Sequence, residues 1–145
     1  MRDELELLEY IFQNSKIAVE SIMRIRKERK KIDDLDNLLK DMILNYRKIG
    51  NASRTMIERR TKKARDIGIL SRLATYMNIK LSGITEESIS SVATMLIQAC
   101  SMGKNEITNK INEYKIKSKN VNNVANRLLQ LEEQNIERLK VFLKS

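Results

Sequence analysis

The 145-residue chain contains no histidine, no proline and a single cysteine, Cys100. Without histidine it cannot form a Ser-His-Asp or Cys-His catalytic site, the common zinc sites, or a histidine-ligated haem or iron centre. One cysteine excludes an internal disulfide and an iron–sulfur cluster, and it is typical of the reducing cytoplasm, where we expect the protein. The nucleotide-binding patterns G-x-x-x-x-G-K-[ST] and G-x-G-x-x-G are also absent. We therefore expect a protein that is not an enzyme and has no cofactor.

Turn-forming residues are scarce as well, because the chain has only four glycines besides lacking proline. This composition favours an all-α fold over a β-sandwich or a β-barrel. A chain of this length forms one domain with a substantial hydrophobic core. It contains no apolar run of about 18 residues, so we expect no membrane insertion. The acidic start, MRDELELLEY, lacks the basic and then apolar pattern of a signal peptide.

Apolar residues recur at three- and four-residue steps in four long segments, which predicts four amphipathic helices in a single bundle domain. These helices are predicted over about residues 2–30, 34–65, 86–115 and 120–143. Asp33 or Asp34 is expected to cap the second helix, and Thr85 the third. The inward stripe of the first helix is predicted to contain Leu5, Leu8, Phe12, Ser15, Val19, Ile22 and Arg26. Leu7, Ile11, Ala18 and Ile25 are predicted to widen this stripe.

The segment between the second and third helices, residues 66–84, is too apolar to be a free linker. It is also longer than the roughly 2–8 residues that usually join two helices of a bundle. Its length suits a crossover that makes the second and third helices parallel, and the alternative is an up-down-up-down bundle with the connector folded at one end. A short helix lying on the bundle is predicted from Leu70, Leu73, Ala74, Met77 and Leu81.

Two long segments, SSVATMLIQACSMGKNEITNKINEY and NRLLQLEEQNIERLKVFL, are similar to a known group of proteins. Together with ELLEYIFQNSKIAVESI near the start, they resemble small uncharacterised ferritin-like proteins from low-GC Gram-positive bacteria. The composition, rich in lysine, isoleucine and asparagine, fits an AT-rich bacterial genome. The resemblance covers nearly the whole chain and implies a ferritin-like four-helix bundle, but it implies no established activity.

The last predicted helix places Glu132 and Asn135 in heptad step with Leu128 and Leu139. In ferritin-like di-iron bundles a Glu-x-x-His motif at this spacing supplies two metal ligands, and here asparagine stands where histidine would be. Few other carboxylates are expected to point inward, because Glu20 and Glu58 fall off the apolar stripes and Glu106 falls at an edge. We therefore expect no functional metal site.

Two interpretations of these polar positions remain open. Glu132 and Asn135 are either a degenerate metal position or part of a polar layer that fixes the register of the helices. The first interpretation leaves a residual metal or redox protein centred on Glu132 as one possible function. The core polar layer is predicted to contain Ser15, Tyr46, Ser53, Glu132 and Asn135, with the other four as candidate partners of the Glu132 carboxyl group.

The chain carries a net charge of +9, and its basic residues cluster. Clusters at residues 54–65 and 104–119 would meet at one end of the bundle if a crossover is present, and a nucleic acid or other polyanion would bind there with strong salt dependence. A solvated helix face is the alternative, since no aromatic residue interleaves the basic runs to stack on bases. The candidate anion-binding residues are Arg54, Arg59, Arg60, Lys62, Lys63, Arg65, Lys104, Lys115, Lys117 and Lys119.

The sequence thus favours a non-enzymatic structural or interaction module with a protein partner or a second copy of itself. Polyanion binding through the basic end of the bundle is the principal alternative.

Overall fold

The computed structural model describes residues 2–61, 72–82 and 88–143. These residues form five α-helices, which agrees with the predicted all-α class. The helices are α1 (Arg2–Arg29), α2 (Asp34–Thr61), α3 (Arg72–Ser82), α4 (Ile89–Tyr114) and α5 (Lys119–Lys140), and a short 3-10 helix (Val141–Leu143) follows α5. The predicted end of the second helix, residues 62–65, lies outside the described residues.

The turn between α1 and α2 is fixed by charged side chains. Lys30 adopts a left-handed conformation with φ 53°, which ends α1. The carboxylate of Asp33 accepts a hydrogen bond from the backbone N–H of Asp36 at 2.8 Å, so Asp33 is the N-cap of α2, one of the two residues predicted for this role. Arg29 and Arg26 then pair with Asp33 and Asp36 at 2.6 and 2.7 Å. These contacts join the end of α1 to the start of α2.

The start of α4 differs from the prediction. Thr85 lies outside the described residues, and the helix begins at Ile89 instead of residue 86. Ser88 is the N-cap, because its hydroxyl accepts a hydrogen bond from the backbone N–H of Ser91 at 3.1 Å. The sequence offers several serines and threonines here, and cap preference alone does not choose among them. At the other end, Lys115 is left-handed with φ 49°, and Ser118 caps α5.

Contacts between side chains give the direction of each helix. Arg60, near the end of α2, pairs with Glu4 at the start of α1, so α1 and α2 are antiparallel. Tyr114, at the end of α4, donates a hydrogen bond to Glu6, so α1 and α4 are antiparallel too. It follows that α2 and α4 run in the same direction. An ion pair between Arg138 and Asp41 shows that α5 is antiparallel to α2.

Helix α3 packs against both α1 and α4. The Arg24 side chain donates a hydrogen bond to the Leu81 carbonyl at 3.2 Å, and the Tyr76 hydroxyl donates one to the Met95 carbonyl at 3.3 Å. Leu73, Met77 and Leu81 are buried, whereas Ala74 is half-buried and Leu70 lies outside the described residues. A short helix on the bundle is therefore present in the described part of the connector.

The buried face of α1 is shifted towards the residues that are predicted to widen the stripe. Leu8, Ser15 and Ile22 are buried as predicted, but Leu5, Phe12, Val19 and Arg26 are only half-buried. The physical reason is that α1 packs against α3 and α4 as well as α2. Leu7, Ile11 and Ile25, which are predicted to widen the stripe, are fully buried, and Ala18 is half-buried. Beyond that prediction, the buried arc includes Tyr10 and Asn14.

Candidate functional site

The most unusual feature of the core is a carboxyl group in the middle of α5. Glu132 is 1% exposed and Asn135 is fully buried. Both residues follow the heptad step of Leu128 and Leu139, which are also fully buried. Because they lie on the same face of α5 as the two leucines, these two polar side chains also point into the bundle.

The hydroxyl group of Tyr46 on α2 lies at the centre of this site. It donates a short hydrogen bond to the Glu132 carboxylate and accepts one from the Asn135 side-chain amide at 3.2 Å. The sulfur of Cys100 on α4 lies 3.7 Å from the same oxygen. Three helices thus meet at one phenolic oxygen.

Gly103 on α4 makes room for the Glu132 carboxyl group. A Cβ atom added to Gly103 would lie 1.8 Å from Oε2 of Glu132 and 3.7 Å from Nδ2 of Asn14. Any larger side chain at this position would occupy the space of the carboxyl group. The helix therefore accepts a residue that costs about 1 kcal/mol relative to alanine in a helix interior.

Of the five residues predicted to form the polar layer, all are buried, but only three share hydrogen bonds. Tyr46, Glu132 and Asn135 are bonded as described above. The hydroxyl of Ser53 instead donates to the Gly50 carbonyl at 2.8 Å, and the hydroxyl of Ser15 has no hydrogen-bond partner among the described residues. Ser15 packs next to Gly50, where a Cβ on the glycine would lie 3.3 Å from that of Ser15.

Burial controls the electrostatics of the site. Desolvation raises the pKa of Glu132 to about 8, and the nearby charge of Glu106 adds to this rise. The Tyr46 hydroxyl opposes the rise by favouring the charged form. At pH 7 Glu132 is therefore mainly a neutral carboxylic acid. Burial raises the pKa of Tyr46 and of Cys100 well above their usual values, so the phenol and the thiol stay protonated.

A second tyrosine and carboxyl group lie next to the first pair. Tyr10 on α1 is buried, and burial together with the charge of Glu106 on α4 raises its pKa. The ammonium group of Lys110 lies 5.0 Å from the centre of the Tyr10 ring. Glu106, predicted to lie at an edge, is indeed half-buried, yet its Oε1 atom is inaccessible and has no hydrogen-bond partner among the described residues.

On α1 the sequence predicts only Ser15 as part of this site, and the nearby Asn14 and Tyr10 are not predicted. Asn14 is 4% exposed, and Tyr10 and Glu9 are also buried. A signal was present, since Leu7, Tyr10, Asn14 and Ser21 follow the same three- and four-residue steps as the apolar stripe.

The described part of the chain does not offer a metal centre. Among residues 2–61, 72–82 and 88–143, no three His, Cys, Asp or Glu side chains are grouped closely enough to hold a metal ion. The donors nearest Glu132 are a protonated phenol, a protonated thiol and amides, which are poor ligands for the iron or manganese of carboxylate-bridged sites. The residues at this position therefore do not fit a di-metal centre.

The predicted anion-binding residues divide into two sets. Arg54, Arg60 and Lys104 form ion pairs with Glu58, Glu4 and Glu133 at 2.9, 3.1 and 3.4 Å. The remaining described members are exposed and have no ion pair within the described ranges: Arg59, Lys115, Lys117 and Lys119. Lys62, Lys63 and Arg65 lie outside the described residues. The ends of α2 and α4 are at the same end of the bundle, since both contact the first turns of α1.

None of the helices in the described ranges has the length and apolarity needed to cross a bilayer. No known protein family, curated protein or solved structure matches this chain.

Proposed function

We propose that the chain is a ferritin-like four-helix bundle that acts as a non-enzymatic structural or interaction module in the bacterial cytoplasm. The arrangement of helices supports the fold assignment. Helices α1 and α2 form one antiparallel pair, and α4 and α5 form another. Helix α2 is parallel to α4. Helix α3 comes between α2 and α4 in the sequence and packs against the bundle. A single long crossover of this kind is typical of ferritin-like bundles.

One observation carries the functional proposal: the central carboxyl group of Glu132 is buried among protein groups and is hydrogen-bonded to one of them. Tyr46 donates to it, Asn135 supports Tyr46, and Gly103 is in van der Waals contact with it. A neutral acid that is bonded to a tyrosine neither attracts a divalent cation nor acts as a base at pH 7. The polar centre then serves to align the helices, as buried polar residues do in some coiled coils.

Metal analysis of purified protein tests this proposal. We expect less than 0.1 equivalent of iron, manganese or zinc, as an order-of-magnitude bound, because the ligand set is too poor in anionic donors. The Asn135→His variant restores a Glu-x-x-His spacing and is the matched comparison. One equivalent of tightly bound metal in the wild type, lost in Glu132→Gln, would overturn the proposal.

A polyanion-binding role is the second candidate, and one observation favours it. Arg59, Lys117 and Lys119 are exposed and lie near the end of the bundle where α2 and α4 both terminate. If this end binds nucleic acid, changing these three residues to glutamine should weaken binding and reduce the slope of log K against log salt by up to about 3. The matched control is glutamine at Lys27, Lys30 and Lys31, which lie at the opposite end of α1.

Equal losses in the two triple variants would indicate attraction to the net charge alone, and no binding by the wild type would remove this candidate.

A further inference from the structure

A small cavity lies beside the Glu132 carboxyl group, and all five helices contribute to its wall. Its volume is about 20 Å³. A cavity needs roughly 10–15 Å³ of this measure to hold one water molecule, so there is room for one water and for nothing larger. Its polar lining residues are Asn14, Tyr46, Cys100 and Glu132, and the apolar ones include Met42 and Met77.

The wall of this cavity is apolar except for four side chains, and one of them has unmet hydrogen-bonding capacity. Asn14 is 4% exposed, and neither its amide nitrogen nor its amide oxygen has a hydrogen-bond partner among the described residues. Burying an amide without a hydrogen bond is unfavourable, because the amide loses its bonds to water and gains none in return. More than nine in ten buried polar groups in proteins are bonded to protein or to ordered water.

We propose that the cavity is a binding site for a single internal water molecule that links Asn14 on α1 to Glu132 on α5. The amide nitrogen of Asn14 would donate to this water, and the amide oxygen of Asn14 and the carboxyl group of Glu132 would complete its bonding. Three partners is the usual number for a buried water. Helices α1 and α5 contact each other far less than α1 contacts α2, so the water would add a link between them.

The same walls disfavour other occupants. An apolar molecule would leave the Asn14 amide without a partner, and the volume excludes anything larger than water. A metal ion would require several anionic or carbonyl oxygens, whereas the four polar side chains in the wall are an amide, a phenol, a thiol and a carboxylic acid. A neutral molecule that both donates and accepts hydrogen bonds is the occupant that matches this chemistry.

Nuclear Overhauser transfer from water in isotope-labelled protein tests the proposal. In the wild type we expect transfer from a long-lived water to the Asn14 side-chain amide and to the methyl groups of Met42 and Met77, which line the cavity. The Asn14→Leu variant keeps the approximate shape of the side chain but removes both polar atoms, so the transfer to the two methyl groups should be lost. Ser15→Ala changes a neighbouring residue outside the cavity wall and should retain the transfer.

A second variant separates water from the labile proton of the carboxylic acid, which also exchanges magnetisation with the solvent. Glu132→Gln has no acid proton but keeps polar atoms at the same place, so transfer to Met42 and Met77 should persist. Loss of the signal in Glu132→Gln would assign it to the acid proton and overturn the proposal. A wild type without transfer, or an unchanged signal in Asn14→Leu, would also overturn it.

Discussion

The contact between Gly103 and Glu132 predicts a strong energetic coupling between α4 and α5. In Gly103→Ala the new methyl group would lie 1.8 Å from the Glu132 carboxyl oxygen, which must then move. The carboxyl group is enclosed and bonded to Tyr46, so movement breaks that bond or strains the seam between the helices. Overpacking of a core costs about 1–3 kcal/mol, and alanine regains about 1 kcal/mol of helix propensity. We take the upper end of the overpacking range and expect a net loss of about 2 kcal/mol.

The effect should change sign when the carboxyl group is absent. In a Glu132→Ala background the methyl group of Gly103→Ala enters vacant space, so the same substitution should stabilise the protein by about 1 kcal/mol through helix propensity. The coupling energy between the two sites is then about 3 kcal/mol, at the top of the range for residues in contact. In the wild-type background, thermal unfolding of Gly103→Ala should occur roughly 4–8 °C lower.

Urea unfolding of the wild type, both single variants and the double variant measures this coupling. Gly50→Ala, in the wild-type and Glu132→Ala backgrounds, is the matched control, because a Cβ at Gly50 meets Ser15 at 3.3 Å and does not meet Glu132. Its effect should be the same in both backgrounds. Additive effects of Gly103→Ala and Glu132→Ala, or a stabilising Gly103→Ala in the wild type, would refute the close contact.

Three further predictions concern the hydrogen bonds around Glu132. Glu132→Leu should leave the free energy of unfolding unchanged or raise it by about 1–3 kcal/mol, whereas Glu132→Ala should lower it because it leaves a cavity and unpaired partners. Urea unfolding measures both variants, and a larger loss of stability in Glu132→Leu than in Glu132→Ala would mean that the carboxyl group itself is required. Tyr46→Phe should lower stability by about 1–3 kcal/mol, since it leaves two buried polar groups without their shared partner, and a neutral result would contradict the network. Finally, the protonated Glu132 side chain makes its full contribution to stability below the unfolded-state pKa of 4.5, and this contribution is lost as the pH rises to the folded-state pKa of about 8. The free energy of unfolding should therefore decline over that pH range, and the decline should be smaller in Glu132→Gln. Identical pH profiles of wild type and Glu132→Gln would contradict it.

The helices could be predicted from the sequence because their signals are local. Apolar periodicity and cap residues depend on neighbours within a few positions, and Asp33 was identified as a cap candidate in this way. The predicted start of α4 was about three residues too early, because the helix is capped by Ser88 and cap preference alone does not choose among several nearby serines and threonines. The face of α1 was partly wrong because α3 and α4 determine how much of that helix is covered.

The polar centre was predicted only in part. Heptad spacing alone places Glu132 and Asn135 inside the bundle, without any information about which residues face them. The choice of Tyr46 over Ser15 and Ser53 as the donor depends on the register between α2 and α5, which no local pattern encodes. The contribution of Asn14 depends in the same way on the register of α1 against the other helices. The raised pKa of Glu132 results from its burial by residues of several helices.

The arrangement of the four long helices has a consequence for the order of folding. Each antiparallel pair is contiguous in sequence, so α1 with α2 and α4 with α5 can form from local contacts, which usually form fast. Tyr46 belongs to the first pair and Glu132 to the second, 86 positions away, so their bond can form only when the two pairs dock. If docking follows the rate-limiting step, substitutions at Glu132 should accelerate unfolding and leave the refolding rate nearly unchanged. The Tyr46–Glu132 bond would then form late in folding, and only when the two pairs have docked in the correct register.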